Sequence, residues 1–357
     1  MTDTGRYLIE KIGVTEKALG VDRRFSYTNV TELRKGEIEV EISREEIFRN
    51  LPNTLEDFSS DPDGREGIHT LRSPSGEKVR LRLLQPMRDR ILWVVSSVGD
   101  VRKEPAHTAE LVTQAIMGDV ALMLKREGDW YLVCLRDDYL GWIRSWYVHE
   151  TNRGEVESYN SRANVIVETN VSYVLTEPRV GSLPVSDMVA GTYLVASDST
   201  GDFRRVALPG GKEGYMRVDD VRERAAEEGT RRERIALRAK RFLGIPYLWG
   251  GTSTKGFDCS GLVQRIFFIE GVELPRDTDR QALIGKGISH DHINEARGGD
   301  LLFFGEGGTV NHVAIYIGNQ SFIHAHGEVR INSLREDDPL YDGRFAKSLL
   351  FARSVLP

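Results

Sequence analysis

Cysteine is nearly absent: only two occur in 357 residues, Cys134 and Cys259. Two cysteines supply neither a disulfide framework nor a four-cysteine zinc site, so each is read as a free thiol. A surplus of basic charge is missing too. The formal net charge is -6, with arginines scattered among acids, which argues against a large nucleic-acid surface. No run is apolar enough to span a membrane. The opening Met1-Thr-Asp-Thr-Gly-Arg-Tyr-Leu-Ile-Glu10 lacks the basic-then-apolar pattern of a secretory signal. That favours the cytoplasm; the alternative is an exported protein whose signal peptide has been removed and replaced by a new Met.

What is present is ordinary globular composition, 40% hydrophobic and 29% charged, in a chain long enough for two or three domains. Residues 1–90 mix a charged, helical opening with alternating strands Glu37–Ser43 and Val79–Leu83, separated by a long loop that includes polar Ser59–Gly64, and carry no motif of function. From 91 to 150 the text becomes short β-runs punctuated by glycine, among them Val120–Leu124, Trp130–Leu135 and Tyr139–Arg144, the grammar of a small barrel. The same grammar returns over 163–221. Gly141-Trp-Ile-Arg and Gly214-Tyr-Met-Arg read as endings of a degenerate repeat. Residues 222–234 read as a charged helical linker, and Thr230-Arg-Arg-Glu233 matches a capping box that restarts the helix, with Ile235, Ala239 and Phe242 as its apolar stripe. A last domain then occupies 235–357.

Within it, Gly256-Phe-Asp-Cys-Ser-Gly-Leu-Val263 leads into apolar residues at helical spacing, with Gly271 as the stop. Cys259 therefore falls on the first turn of a helix, where unpaired N–H groups and the macrodipole shift a thiol toward thiolate. A nucleophilic thiolate needs a base that later protonates the leaving amine, and histidine suits both roles. Asn311-His-Val-Ala-Ile-Tyr-Ile-Gly318 and Phe322-Ile-His-Ala325 form a hairpin that brings His312 and His324 close together. Cys134, beside Val133 and Leu135, reads as a small buried hydrophobe. His290, His292 and His326 have spacings that match no metal motif.

Taken in order, Tyr247-x-Trp-Gly-Gly, Phe257-Asp-Cys-Ser-Gly-Leu-Val, Gly299-Asp-Leu-Leu-Phe-Phe304, His312-Val-Ala-Ile-Tyr-Ile-Gly and Phe322-Ile-His-Ala resemble the NlpC/P60 cysteine peptidases over roughly 235–355. The resemblance implies an α+β fold, with a papain-like catalytic domain preceded by two small SH3-like β-barrels. It also implies a catalytic triad of Cys259, His312 and His324, with Tyr247 helping to hold the oxyanion. Gly128-Asp-Trp-Tyr-Leu-Val and Tyr139-Leu-Gly-Trp-Ile are similar to the bacterial SH3-like domain, 163–221 being a weaker copy, and most of Trp130, Trp142 and Trp146 are expected in barrel cores.

The architecture resembles the γ-D-glutamyl-L-diamino-acid endopeptidases of muropeptide recycling, which implies peptidoglycan-derived peptides with a free N-terminal L-Ala as substrates and neither cofactor nor metal. By the same resemblance Asp258, Ser260 and Glu110 bind the amine, with Tyr139 and Trp249 in the substrate wall. Arg276 and Asp277, near the groove, have a plainer reading as caps of the next helix. The competing functions are a secreted hydrolase of intact stems and a non-catalytic wall-binding protein.

Overall fold

The computed structural model describes every residue except 35, 62–66, 88–89, 225–228 and 357. The chain divides into two compact units, Met1–Ile91 with Ala121–Trp142, and Leu92–Val120 with Ile143–Pro357.

In the first unit, a helix over Asp3–Ala18 starts at Thr2, whose hydroxyl accepts the Gly5 N–H at 3.1 Å. A five-stranded sheet follows, ordered Thr28–Arg34, Glu37–Ile42, Lys78–Leu83, Ile68–Arg72, Ser59–Asp61. Ile38, Val40 and Ile42 alternate with glutamates, so one face of the strand is buried and the other charged. The long loop expected between the two alternating runs is instead structured. It holds a helix, Glu45–Thr54, and the strands Ser59–Asp61 and Ile68–Arg72; residues 62–64 of the polar stretch lie outside the described residues. Ile47, Phe48 and Leu51 carry that helix on one stripe, a signal easily missed in ten residues with Pro52 among them. Strands Val120–Glu127 and Trp130–Cys134 pair antiparallel, and Trp130 and Trp142 are buried with Leu84, Leu124 and Leu132.

The second unit contains the hairpin Val98–Arg102 with Leu111–Ile116, a seven-stranded sheet spanning Val165–Glu223, and a six-stranded antiparallel sheet. Residues 222–223 are not helical as expected. Their alternation extends the strand Val221–Glu223, which pairs with Val165–Val167. Residues 225–228 of the expected linker lie outside the described residues. Helix α1 (Arg231–Arg241) has the capping box at Thr230, and Ile235, Ala239 and Phe242 are its buried stripe. Arg238 bridges Glu168 to Glu270, clasping α1 between the seven-stranded sheet and the end of the following helix.

Helix α2 (Cys259–Ile269) packs Leu262, Val263 and Ile266 into the largest core, and the chain leaves it through Gly271 at φ +73°. A short helix, α3 (Thr278–Gln281), follows. The six-stranded sheet comprises β1 (Lys286–Ser289), β2 (Leu301–Glu306), β3 (Thr309–Gly318), β4 (Ser321–His326), β5 (Glu328–Ser333) and β6 (Leu349–Ser354), in the order β1-β6-β2-β3-β4-β5. Val313 and Ile315 of β3 join the α2 core, while Ala314 and Tyr316 join a second core on the opposite face with Phe304, Phe322 and Phe345. No described helix is long and apolar enough to cross a membrane.

Candidate active site

The site is built around the N-terminus of α2. Asp258 is its N-cap: Oδ1 accepts the Gly261 N–H at 2.7 Å and Oδ2 the Gly250 N–H at 2.9 Å. Glycine is required at both ends of this clasp. A Cβ on Gly261 would lie 2.1 Å from the Gly251 carbonyl oxygen, and one on Gly250 would lie 2.4 Å from that of Leu111, at φ +77°. Cys259 follows the cap directly, buried, with its sulfur 3.6 Å from the Thr278 hydroxyl.

Arg276, only 2% exposed, turns back to this cap rather than capping α3. Its guanidinium binds both oxygens of Asp258, donates to Ser260 Oγ at 2.9 Å and reaches Thr113 Oγ1 at 2.9 Å. The plainer reading of Arg276 as a helix cap is thus overturned, because a buried arginine must pair with a carboxylate and Arg276 pairs with Asp258.

Helix position alone does not make Cys259 a thiolate. Burial and the neighbouring Asp258 carboxylate push the thiol above its ordinary range, against the opposing effects of the Thr278 hydroxyl, the Val313 backbone N–H and Arg276. The expected shift toward thiolate is therefore corrected. Asp258 already accepts the Gly261 N–H, and its negative charge offsets the dipole that would favour a second anion.

The histidines come from the β3–β4 hairpin. Its turn residues Asn319 and Gln320 both have positive φ, 51° and 58°, closing a tight two-residue loop. The register pairs Ile315 with Ile323 and Tyr316 with Phe322, so His312 and His324 lie diagonally on one face. His312 Nε2 is 2.7 Å from His324 Nδ1, and His324 Nε2 is 2.9 Å from Asn332 Oδ1 on β5. Phe345 stands edge-on to the fully buried His324, with ring centroids 4.6 Å apart, and also packs against His312. Burial first, then the charges of His324 and His326, push His312 down to about 3. Burial likewise lowers His324 to about 4, opposed by its bond to Asn332. Both rings are therefore neutral at neutral pH, and His312 bonds His324 through Nε2, with no hydrogen bond at Nδ1 among the described residues. The Val313 N–H that acts on the Cys259 sulfur belongs to the residue next to His312.

Tyr247 also borders the sulfur. Burial, with the charges of Cys259 and Asp258, pushes its hydroxyl up to about 12, so it remains a neutral donor. The hairpin Val98–Ile116 is tied to the same loop: Gln114 accepts the Thr252 N–H at 3.2 Å and the Ser253 hydroxyl at 3.1 Å. This brings Glu110 to Trp249, whose indole N–H donates to the carboxylate at 3.0 Å. Glu110 remains 44% exposed on its side chain, near Lys103. Tyr139 falls in the first unit, where it is buried edge-on to Phe25. Trp146 is 55% exposed and stacks on His107, unlike the buried Trp130 and Trp142. Among the described residues no three His, Cys, Asp or Glu side chains are grouped to hold a metal.

Sequence reading missed Asn332, Phe345 and the fourfold pairing of Arg276. Asn332 left no trace, because alternation along its strand places it on the face of the exposed Glu328 and Arg330, although it is buried.

A thiol at a helix start, next to the strand that carries a histidine backed by a second ring, is the arrangement of a papain-like thiol peptidase. Residues 244–342 match the NlpC/P60 family and residues 101–145 the bacterial dipeptidyl-peptidase Sh3 domain. The chain is 32% identical over 267 residues to dipeptidyl-peptidase 6 of Lysinibacillus sphaericus, covering 70% of this chain and 93% of that protein. It is 30% identical over 281 residues to a gamma-D-glutamyl-L-lysine dipeptidyl-peptidase of Bacillus cereus, covering 74% of this chain and 81% of that one. In fold it is similar to the crystal structure of an NlpC/P60 family protein from Bacillus cereus, with a TM-score of 0.64 and 24% identity over 75% of this chain and all of that one. The chain belongs to the NlpC/P60 family of cysteine peptidases.

Proposed function

We propose that this protein is an endopeptidase that hydrolyses the γ-D-glutamyl-L-diamino acid bond of peptidoglycan stem peptides bearing a free N-terminal L-Ala. The pairing of Glu110 with Trp249 beside the nucleophile's loop carries this reading. An ammonium is recognised by a carboxylate, and Glu110 offers a partly exposed one, whereas Asp258 is occupied by Arg276 and two backbone N–H groups. Asp258 and Ser260 then shape the end of the groove through Arg276. The relatives named for the γ-D-glutamyl-L-lysine bond support the same substrate class.

In this mechanism the Cys259 sulfur attacks the γ-carbonyl carbon while its proton passes to His312 Nδ1. The oxyanion is met by the Cys259 backbone N–H and the Tyr247 hydroxyl. His312 then protonates the leaving amine of the diamino acid, and water hydrolyses the acyl-enzyme with His312 again as base. Residues 163–221 act as a second SH3-like domain. In support, strand Glu213–Arg217, turn Val218–Asp220 and strand Val221–Glu223 repeat the run Leu140–Arg144, Ser145–Tyr147 and Val148–Thr151.

The test is mass spectrometry of the protein incubated with L-Ala-γ-D-Glu-diaminopimelate and with the same peptide blocked at its amine. Cleavage of the free peptide alone is expected. Equal cleavage of both would replace this reading with a hydrolase of intact stems, and cleavage of neither would remove the proposed substrate.

A further inference from the structure

The relay behind His312 does not end at the second histidine. Asn332 lies on β5, where the register pairs Phe322 with Asn332 and His324 with Arg330, so it stands diagonally across from His324. The Asn332 amide is held at both ends: Nδ2 donates to the Leu340 carbonyl at 3.2 Å, which directs Oδ1 to His324 Nε2 at 2.9 Å. Leu340 is itself fixed, because its carbonyl also accepts the Ser333 N–H at 2.9 Å.

Proton bookkeeping along this line has one solution while the rings are neutral. Leu340 O can only accept, so Asn332 must present its NH₂ there and its oxygen to His324. An amide oxygen can only accept, so His324 carries its proton on Nε2 and leaves Nδ1 as a lone pair. That lone pair, 2.7 Å from His312 Nε2, requires the His312 proton on Nε2. His312 Nδ1 is then unprotonated. We infer that Asn332 is a positioning residue which, through His324, holds His312 in the tautomer whose Nδ1 can take the Cys259 proton. This inference rests on the catalytic roles proposed above for Cys259 and His312. The step moves one proton from Sγ to Nδ1, and the resulting imidazolium keeps its Nε2–H bond to His324.

The alternative tautomer shows what the amide prevents. Without an acceptor at position 332, His324 can place its proton on Nδ1 and donate to His312 Nε2. The His312 proton then moves to Nδ1, where it blocks the base. Burial makes this choice sharp, because His324 is enclosed by Phe322 and Phe345 and has no water-facing side on which to satisfy a stray N–H.

The experiment uses the full chain and two variants, N332A and the near-isosteric N332D, which keeps an acceptor for His324. Long-range 1H–15N spectra of labelled protein should show both His312 and His324 as Nε2–H tautomers in the parent, with His324 Nδ1–H appearing in N332A. On the free-amine peptide, kcat of N332A should fall roughly tenfold to a hundredfold with KM within about twofold. N332D should recover most of that kcat and move the acid limb of the pH profile upward. A parent His324 protonated on Nδ1, an N332A enzyme with parental kcat and pH profile, or an N332D enzyme as slow as N332A would each overturn the inference. If the peptide is not cleaved at all, the substrate reading fails while the tautomer spectra and the alkylation rate of Cys259 still decide the role of Asn332. If N332A does not fold, N332D and the parent spectra carry the decision.

Discussion

The two cysteines of this chain occupy regions that are alike in one respect and opposite in another. Both thiols are held above the ordinary range, Cys134 pushed up to about 11 by burial and by Asp138 and Asp137, Cys259 raised by burial and by Asp258. Cys134 ends a strand, and its S–H faces the Leu135 carbonyl and the Asp138 carboxylate. Cys259 begins a helix and has beside its sulfur the backbone N–H of Val313, the residue next to His312 of the histidine pair. Acidity at rest therefore does not separate the two regions. In the mechanism proposed here, the difference is a base able to receive the proton during attack, with neutral donors for the oxyanion.

The strongest way to break the comparison is to exchange the thiols' fates. Cys259→Ala should abolish turnover and leave the fold intact, because it removes a small side chain at the edge of the core. Cys134→Ala should leave kcat within about twofold, since no acceptor of its proton is a base of suitable strength. Peptide hydrolysis with circular dichroism as the fold control checks both, and a Cys134→Ala enzyme that loses activity would dissolve the contrast.

A second effect concerns the cost of keeping the histidines neutral. The folded value for His324 is about 4 against 6.5 for an ordinary histidine, so the unfolded chain takes up the proton first as pH falls. The contribution from the neutral buried ring is full above pH 6.5 and is lost as pH falls toward 4. By pH 5 it amounts to about 2 kcal/mol for this group. Urea unfolding at pH 7 and pH 5 should show that loss, and His324→Gln, which cannot titrate, should reduce it by a similar amount. An unchanged pH dependence would mean that His324 is not buried as a neutral ring.

The smallest effect sharpens the substrate side. Glu110→Gln keeps an acceptor for the Trp249 indole N–H but removes the charge. Preference for the free-amine peptide over the blocked one should fall by about tenfold, with kcat on the blocked peptide unchanged. Retained preference would move amine recognition to another group.

Some of this was legible residue by residue. The Asp258-Cys259 helix start, the His312 and His324 hairpin with its tight turn, the Thr230 capping box and the Gly271 stop are short-range features, each governed by backbone geometry within a few positions. The helix Glu45–Thr54 was hidden because its apolar stripe is brief, and residues 222–223 were misread because charge resembled a linker where strand pairing prevailed. Glu110 and Trp249 were each nominated, but not their bond to one another.

The sequence by itself thus determined the family, the helix start at Cys259 and the hairpin carrying His312 and His324, because these depend on local spacing that any chain with those motifs must adopt. Tertiary structure decided the rest: the resting charge of Cys259, the partner of Arg276, the meeting of Glu110 with Trp249, and the end of the relay at Asn332. Those depend on desolvation and on hydrogen bonds between residues far apart in the chain. Their energies are set by which groups burial brings together, and no local pattern records that.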